Sequence, residues 1–505
     1  MSRFIPTRNL LATAAIAFLL SACSLAPAEQ RPGIDIPASY RQSGAPSGVT
    51  PAEEPGRWKP AEPADHQAPS PWWGVFGDPV LVQLEEEALQ ANPDVAIAMA
   101  RLKQARALTS RSESERFPEI DAGFGPTRQR GTGAAAAAGR GDGSPGSTQT
   151  LWRAQASVAY EVDVFGRVAS GIAAARADEA RQRALAHQML LLVQAEVAGT
   201  YFGLRQLEGE LRLLADTVAL REDAAALLER QLGAGAVARH VVDQARTELF
   251  TARAEHLAVA QQHAQASHAL AILLGKAPAS FSLAAKPLEA TVVQLPPGLP
   301  SALLERRPDI AAAERAMAAE NARIGVAKAA YFPSLALTGS LGYESAALGN
   351  LGNWTQRTFL LGPLAGTMLS LPLFDGGRRE AELDRARGAY EESVAQYRKT
   401  VLQAFREVED ALVAMRTLDA RIAQQREADA SAARVARSAR ARFDEGDTDY
   451  LAVVDAQRTR LRNRQSLIQS EGARARASVD LVRALGGGWE ATGSAAHVRS
   501  TPSSS

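Results

Sequence analysis

Over residues 151–164 the chain alternates. Trp152, Ala154, Ala156, Val158, Tyr160, Val162 and Val164 are apolar, and Arg153, Gln155, Ser157, Glu161 and Asp163 stand between them. A period of two predicts a strand with one dry and one wet face. Its partner is expected in residues 120–129, and the Gly- and Ala-rich run 131–148 between them, which includes Pro145, suits a loop exposed to water. In the second half, residues 334–343 and roughly 359–374 form the corresponding pair. Two hairpins of a soluble sheet would fit patterns this short. Each strand nevertheless approaches the roughly 9 to 11 residues that a tilted transmembrane strand needs, and Trp152, Tyr160, Tyr343 and Trp354 suit interfacial aromatics. Four strands cannot close a barrel, and an open edge in lipid leaves backbone groups unpaired at several kcal/mol each. If these strands enter a membrane, several chains must build one barrel, of a number that edge closure alone does not set.

The longer period is helical. No proline lies between Arg167 and Leu232, so one unbroken helix of roughly 65 residues, about 100 Å at 1.5 Å per residue, is expected there. Its apolar positions step by threes and fours through Ala186, Leu190, Val193, Val197, Thr200, Leu204, Leu207, Leu211, Leu214, Val218, Ala225, Leu228 and Leu232, with Arg221 the one interruption. A sustained seven-residue repeat implies left-handed supercoiling against another helix. Val394, Val401, Phe405, Val408, Leu412, Met415 and Ile422 repeat the pattern, and weaker return helices are expected at 237–274 and 448–485. Gly233-Ala234-Gly235 and Phe443-Asp444-Glu445-Gly446-Asp447 supply the turns between the arms, where glycine ends one helix and lets the next begin.

These patterns occur twice because the chain is an internal repeat. Asn92-Pro93-Asp94 through Phe117-Pro118 aligns without a gap on Arg307-Pro308-Asp309 through Phe332-Pro333, 215 residues later. Val164-Phe165-Gly166-Arg167 then answers Leu373-Phe374-Asp375-Gly376-Gly377-Arg378, and Leu274-Gly275 answers Leu485-Gly486.

The N-terminus changes the address. Arg3 and Arg8, the apolar stretch from Leu10 to Leu20, and Leu20-Ser21-Ala22-Cys23 make a secretory signal too short to span a bilayer. Its end resembles the bacterial lipobox, in which the cysteine is acylated and becomes the first residue of the mature protein; by resemblance to enterobacterial lipoproteins, Ser24 after the cysteine implies sorting to the outer membrane. Residues 24 to about 78, rich in Pro, Ala, Glu and Gly, read as an extended tether. Composition adds exclusions. The 505 residues carry 56 Lys+Arg against 56 Asp+Glu, which gives no case for a nucleic-acid partner, and one cysteine cannot form a disulfide within the chain. After the N-terminus no apolar run is long enough for a helical membrane span.

The residues resemble the outer-membrane efflux factor family, the TolC-like proteins, and within it the lipoprotein subgroup found with resistance-nodulation-division pumps. The carrying motifs are Trp72-Trp73 with Phe76-Gly77-Asp78-Pro79, Asn92-Pro93-Asp94, Asp163-Val164-Phe165-Gly166-Arg167, Arg306-Arg307-Pro308-Asp309 with Ala313-Glu314, Phe332-Pro333-Ser334, and Pro372-Leu373-Phe374-Asp375-Gly376-Gly377-Arg378. The resemblance implies a mostly α fold with membrane β: a homotrimer whose four strands per chain complete a shared 12-stranded barrel, joined to an α-helical barrel across the periplasm, with a small mixed equatorial region. The division of the chain is then a signal at 1–22, a lipidated tether at 23–78, a first repeat at 79–275 (strand hairpin 119–164, helical hairpin 165–275), a connector at 276–300, a second repeat at 301–485 (334–374 and 375–485) and a polar tail at 486–505.

The implied function is an exit duct of a tripartite efflux pump, without catalysis, served by a periplasmic adaptor and an inner-membrane pump and anchored in outer-membrane lipid. The resemblance places a gate in the second half at Leu451 and Asp455, which sit four apart and share one helical face. In a trimer each would form a ring of three, and facing carboxylates raise one another's pKa. Some family members carry a second aspartate where this chain has Ala452, and Val241-Val242-Asp243-Gln244 places the first half's aspartate away from the family's usual position. Adaptor contact is expected at the tips, Gly235 and Gly446. No cofactor is expected beyond the lipid on Cys23, and no metal: His256, His263 and His268 are spaced seven and five apart, whereas helical metal pairs favour four. Two other readings stay open, a channel for type I protein secretion, which generally lacks a lipobox, and a non-channel periplasmic coiled-coil lipoprotein.

Overall fold

The computed structural model describes residues 25–28, 32–33, 40–41, 71–130, 148–286, 288, 306–361 and 369–487. The chain divides into two compact units, and each draws on both repeats. One comprises Met1–Pro32, Leu102–Gln182 and Ala313–Tyr397, and the other Gly33–Arg101, Arg183–Ala312 and Arg398–Ser505. In chain order the elements are α1 (Pro79–Ala91), α2 (Pro93–Ser114), β1 (Glu119–Arg130), β2 (Thr148–Val162), α3 (Arg167–Gly233), α4 (Arg239–Leu273), α5 (Pro308–Ala329), β3 (Ser334–Ser345), β4 (Arg357–Leu361), β5 (Leu369–Ser370), α6 (Arg378–Asp444) and α7 (Tyr450–Ala484). Among the described residues no helix is long and apolar enough to cross a membrane.

The repeat is kept to the residue in its helices. α3 and α6 are both 67 residues long, and α4 and α7 are both 35. Each return helix ends against the start of its own repeat in the same way. Asn92 donates from Nδ2 to the Leu273 carbonyl at 2.8 Å, and Arg307 donates from Nη1 to the Ala484 carbonyl at 3.0 Å. Beside these ties Gly275 and Gly486 hold φ of 67° and 91°. A Cβ on Gly275 would stand 2.3 Å from the Ala91 carbonyl oxygen, and one on Gly486 2.9 Å from that of Arg306, so both conformation and space demand glycine.

In the unit containing residues 398–505, the core is aromatic. Trp72, Trp73 and Phe76, in a short 3₁₀ turn (Trp72–Phe76), pack with Leu81, Leu84 and Ala88 of α1, Val193, Val197, Tyr201 and Phe202 of α3, Leu270 and Leu273 of α4, and Val479 and Val482 of α7. Gly77, at φ 64°, turns the chain so that Asp78 caps α1 by accepting from Val80 N–H, while Tyr201 donates its hydroxyl to the same carboxylate. The expected tether therefore ends before Trp72, because three large aromatics bury there instead of remaining in solvent. Tyr40 is also buried, and Arg41 N–H donates to Glu409 of α6 at 2.7 Å, a second point where the tether is held.

In the unit containing residues 313–397, one antiparallel sheet runs in the order β1-β2-β3-β4, with β5 pairing β3 beside β4. Two strands end earlier than expected. β2 stops at Val162 because Asp163 leaves the ladder to cap α3, accepting from Val168 and Ala169 N–H. The fourth strand is described only as β4 and β5, with residues 362–368 outside the described residues, and it ends at Ser370 instead of continuing to Phe374. Pro372 has no N–H to give a ladder. Trp354, expected as an interfacial aromatic, lies in a 3₁₀ turn before β4 with the Arg357 guanidinium 4.5 Å from its ring centroid.

Candidate gate, hairpin tips and membrane sheet

The N-terminus of α7 is fixed by two devices. Asp449 caps it, accepting from Ala452 N–H at 3.0 Å, and Tyr450, Val453 and Val454 bury against Ala224, Ala225 and Leu228 of α3 and Val242, Ala245 and Leu249 of α4. Burial raises the Tyr450 hydroxyl pKa, and its ring meets Phe443 at 5.7 Å. With that face committed, the opposite one is left outside: Leu451 is 47% exposed and Asp455 is exposed, with Arg458 Nη1 3.9 Å from its carboxylate. The spacing placed these two residues on one face, and the structure does so.

One turn further along α7 lies a polar seam that sequence reasoning missed. Glu248 of α4 is buried, and its carboxylate is held from two sides. Arg221 of α3 reaches it with Nη2 at 3.2 Å and donates from Nη1 to the Glu248 carbonyl at 2.6 Å. Arg458 donates from Nε at 3.1 Å, with a second, shorter contact from Nη2. The hydrogen bonds to Glu248 raise the Arg458 pKa. Arg221 thus does not interrupt the packing of α3: it is itself buried, on the ladder, with its charge matched. The one available signal was an arginine on an apolar ladder, which needs a buried acid.

Both tips close in the same geometry. At Gly235 (φ 74°), Ala236 N–H donates to the Gln231 carbonyl and Gly235 N–H to that of Leu232. At Gly446 (φ 78°), Asp447 N–H donates to the Arg442 carbonyl and Gly446 N–H to that of Phe443. This is the paired 6→1 and 5→2 closure that a left-handed glycine permits.

The sheet has two chemically different faces. The register pairs Ile120 with Val158, Phe124 with Ala154, Tyr160 with Leu337, and Ala156 with Leu341, all on one face; Ile120, Phe124 and Leu341 are strongly exposed there. The other face carries Asp121–Ser157–Ser340 and Gly123–Gln155–Gly342 across three strands, and Arg153 forms a cross-strand ion pair with Glu344 at 2.6 Å. Large apolar side chains exposed on one face of a sheet suit lipid, and the polar face suits a water-filled lumen.

Cys23 lies outside the described residues. Of the three histidines, His263 Nε2 stands 3.5 Å from Glu208, and among the described residues no group of three or more side chains could hold a metal.

A sheet apolar on one face, joined in sequence to two helical hairpins of equal length, defines a channel subunit of the TolC-like class. The sequence profile described as outer membrane efflux protein matches residues 84–276 and 299–487. The chain is 34% identical over 495 residues to the probable efflux pump outer membrane protein TtgC of Pseudomonas putida, covering 97% of this chain and 98% of that protein. It is 32% identical over 482 residues to the cation efflux system protein CusC of Escherichia coli, covering 94% and 98%. Among solved structures, the open state of the MtrE outer membrane channel of Neisseria gonorrhoeae superposes with a TM-score of 0.75 at 27% identity, covering 92% of this chain and 98% of that one. The chain belongs to the outer membrane efflux protein family. It is the outer-membrane channel component of an efflux pump, and the members of its family are transport channels.

Proposed function

We propose that this channel works as a homotrimer anchored by lipid on Cys23, closed at its periplasmic end by rings of Leu451 and Asp455. In this reading a periplasmic adaptor engages the tips at Gly235 and Gly446, and an inner-membrane pump of the resistance-nodulation-division type supplies the energy. The chain itself catalyses no reaction. One observation supports assembly most strongly: among the described residues, the sheet of four strand positions is open at β1 on one side and at β4 and β5 on the other. Such edges are untenable in lipid unless another copy pairs with them. Exposure of Leu451 and Asp455 beside a fully committed apolar face supports the gate, since side chains exposed on one chain are available to meet their copies.

Crosslinking of the full-length protein in native membranes tests the assembly. A ladder ending at three chains is expected, and one that ends at a single chain overturns the reading. Labelled palmitate is expected on the parent and absent from Cys23→Ser; incorporation into the variant overturns the anchor.

A further inference from the structure

The N-terminal segment is seated in a built notch. Asn321 of α5, itself buried, donates from Nδ2 to the Pro27 carbonyl at 2.8 Å. One turn on, Gly325 has no side chain, and a Cβ there would stand 2.8 Å from Ser170 Oγ, 3.0 Å from Ala26 Cβ and 3.1 Å from Ala26 N. Ala26 fills the space that the missing Cβ leaves between α5 and the first turn of α3, and Leu25 and Ala26 are half-buried while Pro27 and Ala28 are exposed. Small residues meet on both sides of this contact, and the one buried amide is satisfied by the strap's own carbonyl. A freely moving tether would require neither.

We propose that Leu25–Ala28 is a strap, and that the Asn321–Gly325 notch fixes where the acyl chains enter the membrane. This rests on the reading of Cys23 as lipidated. Cys23 is three residues before Ala26, so chain connectivity confines it to within about 11 Å of the notch. Gly325 is four residues before the end of α5, about 6 Å along its axis, and Tyr331 and Phe332 follow there, partly exposed, immediately before β3. Aromatics of this kind settle at the membrane interface. The partner of this surface is thus the lipid surface itself, reached through a clamped segment at the foot of the strands.

A nitroxide on Ala28→Cys in the acylated full-length protein reads the strap. Acylation blocks the Cys23 thiol, so one label per chain is expected, and its spectrum is expected to show a broad, immobilised component. In Asn321→Ala combined with Gly325→Leu that component should be lost and a narrow, mobile one should replace it. If the helix variant does not fold, Ala26→Leu with Asn321→Ala places the bulk on the strap and leaves α3 and α5 untouched except at one amide. A narrow spectrum in the parent, or an unchanged broad one in a folded variant, overturns the strap. Two labels per chain would instead show a free Cys23 thiol, which defeats the lipid reading while the line shape still reports on the notch.

Discussion

Arg458 of α7 and Glu248 of α4, 210 residues apart, form a charge-assisted pair one turn from Asp455, and Arg221 of α3 closes the same carboxylate from the other side. Three helices from both repeats meet at this one buried acid. Removing it leaves Arg221 buried without its counter-charge, a change that costs about 3–5 kcal/mol. Glu248→Ala is therefore expected to lower the thermal midpoint followed by circular dichroism. Replacing all three, Arg221→Met, Glu248→Leu and Arg458→Met, is expected to recover much of the loss, since apolar substitutes need no partner. A triple variant no more stable than the single one would mean that the seam is not a closed charge set.

Glu85 of α1 offers a test in pH. It is fully buried, neither carboxylate oxygen has a hydrogen-bond partner, and burial pushes its pKa to about 9. In the unfolded chain it titrates near the ordinary 4.5. Between those values the unfolded state has released a proton that the folded state keeps, so this group makes stability fall as pH rises from about 4.5 to about 9. Glu85→Gln should match the parent at pH 4, and its advantage in thermal midpoint should grow steadily up to pH 9. An advantage independent of pH would contradict a neutral, unpartnered Glu85.

The glycines at the ends of the return helices differ in kind from Gly388, within α6. Gly275→Ala meets both a left-handed φ and the Ala91 carbonyl, and a loss of about 1–3 kcal/mol is expected. Gly388→Ala, inside α6 with open space around its Cβ position, should be neutral or stabilise by up to about 1 kcal/mol. Chemical denaturation of the two variants side by side checks the contrast.

Much of this architecture was legible because it is written in local periods. The alternation over 151–164 yielded β2 and its lipid-suited face, and the proline-free stretch after Arg167 yielded the whole of α3. The match of Leu274-Gly275 to Leu485-Gly486 turned out to have a physical cause, the close approach of backbone at Ala91 and Arg306. Trp72-Trp73 and Asp78 were visible as a motif, while their work, an aromatic core and a helix cap, was not. What stayed hidden depends on contacts distant in sequence. Glu248 and Arg458 look like ordinary helix-surface charges until α4 and α7 are brought together, and Pro27 reveals nothing of Asn321. The fourth strand ended early because a single proline outweighs an apolar pattern.

A water-filled pore closed at rest by a ring that includes Asp455, as proposed above, has a direct electrical signature. Single-channel recording in planar lipid bilayers, with the purified full-length protein and with Asp455→Ala, tests it most directly. Discrete conducting steps are expected from the parent, and a higher conductance or open probability from the variant. Failure of the parent to produce any ion-conducting steps would contradict the channel, and a variant that stays as closed as the parent would remove Asp455 from the constriction.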